Sequence, residues 1–116
     1  MRSLNRHKSG EMQILVLSSA SIEVRSVLYS RGLNQKKIED FFSLVAAMLE
    51  EYSVVDFVPV KPSDVIIAER LRTENSDLTF FDSLHAATSK RLGIKLLSSE
   101  GIYSRIGIQV IDLDTL

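Results

Sequence analysis

Cysteine is absent from this chain of 116 residues. The sequence therefore contains no disulfide framework, no thiolate nucleophile and no cysteine ligand for zinc. It also lacks an apolar run approaching the ~20 residues that a transmembrane helix needs. The basic residues near the N-terminus are not followed by an apolar segment, which argues against a secretory signal. We therefore expect a cytoplasmic protein with no membrane contact.

An excess of positive charge is missing as well. The chain has 14 Lys and Arg against 15 Asp and Glu, a formal net charge of −1. Proteins held to nucleic acid by global charge are strongly basic, so any contact with RNA must be local. A charged share of 25% and a hydrophobic share of 45% are typical of a globular domain. We expect a single domain over residues 1–116, with residues 1–12 either flexible, a basic arm on phosphate, or the remnant of a first helix.

Strand and helix patterns alternate along the chain. Short apolar runs predict strands at Gln13–Leu17, Val54–Val60, Ile94–Leu97 and Gln109–Ile111. Capping residues and helical periodicity predict helices from the serines at 18, 19 and 21 to about Arg31, from Asn34 to about Tyr52, from Pro62 to about Thr73, and from Thr79 to Gly93. This alternation indicates an α/β fold with a parallel sheet and right-handed crossovers.

Helical spacing also predicts which faces are buried. The helix after Asn34 should bury Ile38, Phe41, Phe42, Val45, Leu49 and Tyr52, and the helix after Pro62 should bury Val65, Ala68 and Leu71. The helix after Thr79 should turn Phe81, Leu84, Thr88 and Leu92 inward, with Asp82, His85 and Ser89 on a different face.

Three carboxylates lie near helix starts or a strand end, where they could bind a metal ion. Glu23 lies in the first turn of a predicted helix, Asp82 lies three residues after the N-cap Thr79, and Glu100 follows a strand. Each has a local explanation: Glu23 complements a helix N-terminus, Thr79 and Asp82 form a capping box, and Glu100 sits on a turn capped by serine. The three can also converge at one edge of a parallel sheet, where carboxylates require a hard cation such as Mg²⁺ or Mn²⁺.

Three segments resemble the PIN-domain family, which includes the VapC-like ribonuclease toxins. They are Phe81-Asp82-Ser83-Leu84-His85-Ala86-Ala87, Leu96-Leu97-Ser98-Ser99-Glu100-Gly101-Ile102-Tyr103 and Leu17-Ser18-Ser19-Ala20-Ser21-Ile22-Glu23-Val24. The resemblance extends from Gln13 to the C-terminus. It implies a three-layer α/β/α fold in which Glu23, Asp82 and Glu100 are the catalytic metal ligands, supported by Ser98.

Two features depart from the family pattern. The family opens with a strand that ends in Asp, and no such strand precedes Gln13, so the first strand and its acid are missing. Glu100 replaces the Asp that the family usually carries. A chain that is complete as it stands should bind metal weakly, whereas a truncated one would regain the site from an upstream Asp. We expect a neighbouring segment or a second molecule to fill the place of the missing strand.

The resulting hypothesis is a Mg²⁺- or Mn²⁺-dependent endoribonuclease, the toxin of a toxin–antitoxin pair and a homodimer. The alternative is a catalytically impaired, PIN-derived module that binds RNA or protein. Candidate phosphate contacts are Lys90, Arg91 and Lys95, or alternatively Lys36 and Lys37. His85 is one helical turn from both Asp82 and Ser89, which does not fit Ser-His-Asp catalysis, and we expect it to be a packed or partly exposed residue.

Overall fold

A computed structural model describes residues 2–115. They form two compact units that divide between Pro59 and Val60. The helices are α1 (Arg2–Ser9), α2 (Ala20–Ser30), α3 (Gln35–Glu51), α4 (Pro62–Glu74), α5 (Phe80–Leu92) and α6 (Ile102–Arg105). The strands are β1 (Val16–Leu17), β2 (Phe57–Val58), β3 (Leu96–Ser98) and β4 (Val110–Asp112), and a 3-10 turn spans Leu113–Thr115. The fold is mixed α/β, as predicted. No helix within residues 2–115 is long and apolar enough to cross a membrane.

The first unit joins three helices to one short parallel strand pair. Val16 of β1 is opposite Phe57 of β2, and Leu17 is opposite Val58. His7 of α1 connects distant parts of the unit: its Nδ1 accepts from the Ile14 N–H at 2.8 Å, and its Nε2 lies 2.9 Å from the Ser53 carbonyl oxygen. These bonds anchor α1 to the chain on both sides of α2 and α3.

Asn34 and Ser19 both stand where the sequence predicts an N-cap, but only the asparagine caps its helix through its side chain. Asn34 is extended (ψ 171°) and its side chain accepts from the Lys37 N–H at 2.9 Å, as predicted for an N-cap. Ser19 occupies the N-cap of α2 but is helical (ψ −10°), and its side chain makes no capping bond. The prediction of a serine cap for α2 was therefore wrong, because a hydroxyl reaches the helix N–H groups from an extended residue.

The predicted inner face of α3 is only partly covered. Ile38 is buried, whereas Phe41 is 37% exposed, contrary to prediction. An apolar groove of about 440 Å³ runs beside the helix, lined by Ser21, Phe42, Val45, Ala46, Leu49, Glu50, Val54, Val55 and Phe57. The first unit thus keeps a broad apolar surface that the residues described in it do not bury.

The second unit packs α4 against α5 beside the β3–β4 pair. The strands are parallel, with Leu96 opposite Val110 and Ser98 opposite Asp112. A core of Ala86, Tyr103 and Ile108 is buried, and Leu71, Leu96, Ile102, Ile106 and Val110 pack against it. Helix α5 is therefore the central element of this unit, as the sequence indicates.

Burial along α5 is wider than one helical stripe. The buried residues run through Ser83, Leu84, Ala86, Ala87, Thr88 and Ser89. Ser89 was predicted to lie on a face away from the core, but it is buried, and its hydroxyl donates to the Ala86 carbonyl at 3.0 Å. Small side chains allow neighbours to approach on several sides, which a stripe of large apolar residues does not reveal. On α4, Val65 was predicted to be buried and is instead exposed.

The strands are shorter than predicted and form two pairs, one in each unit, within residues 2–115. The stretches expected at Gln13–Leu17 and Val54–Val60 are reduced to two paired residues each. The filling of the place of a missing first strand stays a prediction.

Candidate functional site

Asp82 lies at the start of α5, where the sequence predicts it. Thr79 is the N-cap, extended at ψ 164°, and its Oγ1 accepts from the Asp82 N–H at 3.1 Å. The Asp82 carboxylate accepts from a different group, the Tyr103 hydroxyl, at 3.2 Å from Oδ1. Asp82 is only partly buried. Its side chain is therefore held from a second element of the unit while part of it remains accessible.

A second aspartate occupies the same helical position and behaves differently. Asp64 is the third residue of α4, as Asp82 is of α5, but it is 1% exposed. Its Oδ1 accepts from Arg91 Nε at 2.7 Å, and its Oδ2 accepts from Arg91 Nη2 at 3.1 Å and from the Lys61 N–H at 2.8 Å. The Arg91 hydrogen bond, helped by that of Lys61, holds the pKa of Asp64 below its usual value although burial opposes this. Both Asp64 oxygens are used inside the protein.

Glu100 and Ser98 meet at the carboxyl end of β3. The Glu100 N–H donates to Ser98 Oγ at 3.0 Å, which fixes the backbone that carries the Glu100 side chain. Glu100 itself is exposed. Ser98 is opposite Asp112 at the end of β4, so both strands of this pair end in polar residues at the same edge.

Glu23 lies in the first unit, in the first turn of α2. Its N–H donates to the Ser19 carbonyl at 3.1 Å, and its side chain is partly buried. The Ser19 hydroxyl is buried without a hydrogen-bond partner among residues 2–115. Asp82 and Glu100 belong to the second unit.

The predicted phosphate contacts have different surroundings. Lys90 and Lys95 are exposed, whereas the Arg91 side chain is 24% exposed and bonded to Asp64. The Arg91 guanidinium already binds Asp64 and so links α5 to α4. A phosphate contact by Arg91 stays a prediction. On α3, Lys36 pairs with Asp40 at 3.0 Å and both are exposed.

Comparison with known proteins identifies the family. The PIN domain model matches residues 8–108, which is most of the chain. The chain belongs to the PIN-domain family. Neither curated proteins nor solved structures gave a match. PIN domains indicate a nuclease-type function and are generally dependent on a divalent metal.

The donor chemistry of this PIN domain fits a hard cation. Glu23, Asp82 and Glu100 offer carboxylate oxygens, and the chain has no cysteine to favour a softer metal. Within the described part of the chain, however, no three His, Asp or Glu side chains lie close enough together to hold a metal ion. The residue types suit Mg²⁺ or Mn²⁺, and their assembly into one site stays a prediction.

Sequence reasoning missed one contact of the candidate ligand Asp82. Tyr103 is the last residue of one of the three segments that resemble the family, but the sequence analysis gives its hydroxyl no role. Its partner Asp82 is 21 residues away in the chain, so no local pattern connects them. The only available signal was the choice of a tyrosine, whose buried hydroxyl needs a hydrogen-bond partner.

Proposed function

We propose that this PIN domain is a divalent-metal-dependent endoribonuclease acting on single-stranded RNA. The family match over residues 8–108 carries the proposal. The accessibility of two candidate ligands supports it, since Glu100 is exposed and Asp82 is only partly buried. Asp64, at the same helical position as Asp82, instead has both carboxylate oxygens hydrogen-bonded within the protein.

In this proposal Glu23, Asp82 and Glu100 are the metal ligands. When bound to these residues, a Mg²⁺ or Mn²⁺ ion would supply Lewis acidity at the scissile phosphate and would activate water for the attack. The chain's own part is positional. Thr79 sets the backbone of Asp82, and Ser98 sets the backbone of Glu100.

We further propose that Lys90 and Lys95 contact RNA phosphates. Both are exposed, one in the last turn of α5 and one just before β3. Arg91 lies between Lys90 and Lys95 in the chain, and it would have to exchange its hydrogen bonds to Asp64 for a phosphate contact. That exchange would leave a buried carboxylate without its partner, which makes the two lysines the better contacts.

We also propose that the protein is the toxin of a toxin–antitoxin pair, that it binds an antitoxin, and that it is a cytoplasmic homodimer. PIN nucleases often pair with antitoxins. Exposed apolar side chains in the first unit, such as Leu44 at 71% and Val55 at 69%, support a protein partner. Light scattering with and without a co-expressed antitoxin measures these assemblies, and a monomer under both conditions would remove them from the proposal.

The test of the enzymatic function is cleavage of a labelled single-stranded RNA with Mn²⁺ and with a chelator. We expect Mn²⁺-dependent cleavage that falls about 100-fold or more in Asp82→Asn, since a lost ligand costs at least as much as a lost outer-shell partner. Asp40→Asn is the matched control, because Asp40 is an exposed helical carboxylate on α3. Cleavage that survives Asp82→Asn would refute the assigned role.

The second candidate is a PIN-derived module that binds RNA or protein without turnover. It is favoured by one observation, the absence of a three-ligand cluster among residues 2–115. The same assay separates the two functions. RNA retention in a filter-binding measurement, with no cleavage at any Mn²⁺ concentration, would establish the binding module.

A further inference from the structure

We infer that Tyr103 is a positioning residue for Asp82, an inference that rests on the proposed metal-dependent function. Its hydroxyl donates to Asp82 Oδ1 at 3.2 Å, so one carboxylate oxygen is occupied by a neutral donor. Oδ2 is the oxygen left to face a cation. The phenol thereby selects which oxygen binds and restricts rotation of the carboxylate about its last bond.

The phenol can do this because its ring is fixed. Tyr103 is 4% exposed and belongs to the core cluster with Ala86 and Ile108. The Ile108 N–H donates to the Tyr103 carbonyl at 2.9 Å, which holds the C-terminal side of α6. A tyrosine ring has only two side-chain torsions, so packing of the ring places the hydroxyl.

A second bond holds α6 to the start of α5. Arg105 Nη2 donates to Asp77 Oδ2 at 2.6 Å, and Asp77 lies in the loop just before Thr79. The Arg105 hydrogen bond keeps the pKa of the Asp77 carboxyl below its usual value. Tyr103 and Arg105 therefore connect the short helix after Glu100 to the segment that presents Asp82, and the hydroxyl has a defined target.

The comparison between Asp82 and Asp64 indicates why a hydroxyl is suited to this task. Arg91 neutralises Asp64 and uses both of its oxygens, which leaves no charge for a ligand. Tyr103 donates one hydrogen bond from a neutral hydroxyl and so brings no positive charge to Asp82. Outer-shell donors of this kind orient metal ligands, and their loss typically lowers metal affinity 10- to 100-fold.

The first measurement is Mn²⁺ binding to the full chain by titration calorimetry, without RNA. We expect Tyr103→Phe to weaken binding about tenfold, and the same change to have no effect when Asp82 is already Ala. Tyr29→Phe is the matched control, because Tyr29 is an exposed tyrosine of α2. Unchanged affinity in Tyr103→Phe, or an equal loss in the Asp82→Ala background, would overturn the inference.

The second measurement needs no metal. Denaturant unfolding of wild type, Tyr103→Phe, Asp82→Ala and the double variant gives the coupling between the two side chains. We expect a coupling of about tenfold in the unfolding equilibrium constant, as for a hydrogen bond to a charged group. If wild type takes up no Mn²⁺, the proposed function fails, and this cycle still decides whether Tyr103 holds Asp82. Additive effects would overturn the inference.

Discussion

Asp64 on α4 and Arg91 on α5 form a largely buried ion pair that joins these two helices of the second unit. Two parallel hydrogen bonds of 2.7 and 3.1 Å connect the guanidinium to the carboxylate. The third bond to Asp64, from the Lys61 N–H, completes the set around Oδ2 at 2.8 Å. Fork-to-fork geometry of this kind is the strongest that Arg and Asp can form, so the pair sets how α4 and α5 pack.

Asp64→Asn should lower the free energy of unfolding by about 3 kcal/mol, because it leaves the Arg91 charge without its partner inside the unit. Denaturant unfolding at neutral pH measures the loss. Asp40→Asn, which removes an exposed carboxylate paired with Lys36, should cost less than about 0.5 kcal/mol. A similar small cost for both variants would show that the buried pair contributes little.

The same pair predicts a stability loss in acid. The Arg91 bond holds the pKa of Asp64 below its usual value, so the carboxylate stabilises the fold above its unfolded-state pKa of about 4. That contribution is lost as the pH falls through the lower, folded-state pKa. Unfolding free energies measured from pH 7 down to pH 2 should therefore fall more steeply below pH 4 in wild type than in Asp64→Asn. Parallel curves would contradict this assignment.

Local sequence signals predicted the helices well. Asn34 and Thr79 act as N-caps, and Gly93 closes α5 in the left-handed region at φ 66°, because each of these depends on bonds within one turn. Ser19 shows where such signals end. Its residue type suits a cap, but its helical backbone does not, and the backbone conformation is decided by neighbours outside the motif.

Contacts between residues far apart in the chain could not be predicted from the sequence. The length of a strand depends on the strand with which it pairs. The partners β1 and β2 are separated in the chain by α2 and α3, so the residues near each strand do not show where the pairing ends. The lengths of both strands were therefore overestimated. Arg91 was predicted to meet phosphate because nothing nearby in sequence indicates Asp64 as its partner, 27 residues away. Asp82 was placed correctly on α5, yet the bond from Tyr103 depends on packing of α6 against the core.

Ser53 offers a stability test in the first unit. It is the one residue other than glycine with a positive φ, 59°, among residues 2–115, a conformation that disfavours a side chain. Ser53→Gly keeps the carbonyl that His7 contacts and should raise the free energy of unfolding by about 0.5 to 1 kcal/mol. Ser43→Gly, within α3, should lower it by about 0.5 kcal/mol. Loss of stability in both variants would show that the Ser53 backbone is unstrained.

Lys90 and Lys95 can be tested through the salt dependence of RNA binding. Each phosphate that a lysine neutralises on single-stranded RNA adds about 0.7 to the slope of log affinity against log salt. The double variant Lys90→Gln/Lys95→Gln should therefore bind more weakly, with a slope shallower by about 1.4, and Asp82→Asn as the background prevents cleavage during the measurement. Lys36→Gln/Lys37→Gln removes the same charge from α3 and should leave the slope unchanged. A shallower slope in the α3 pair alone would move the RNA contact to the first unit.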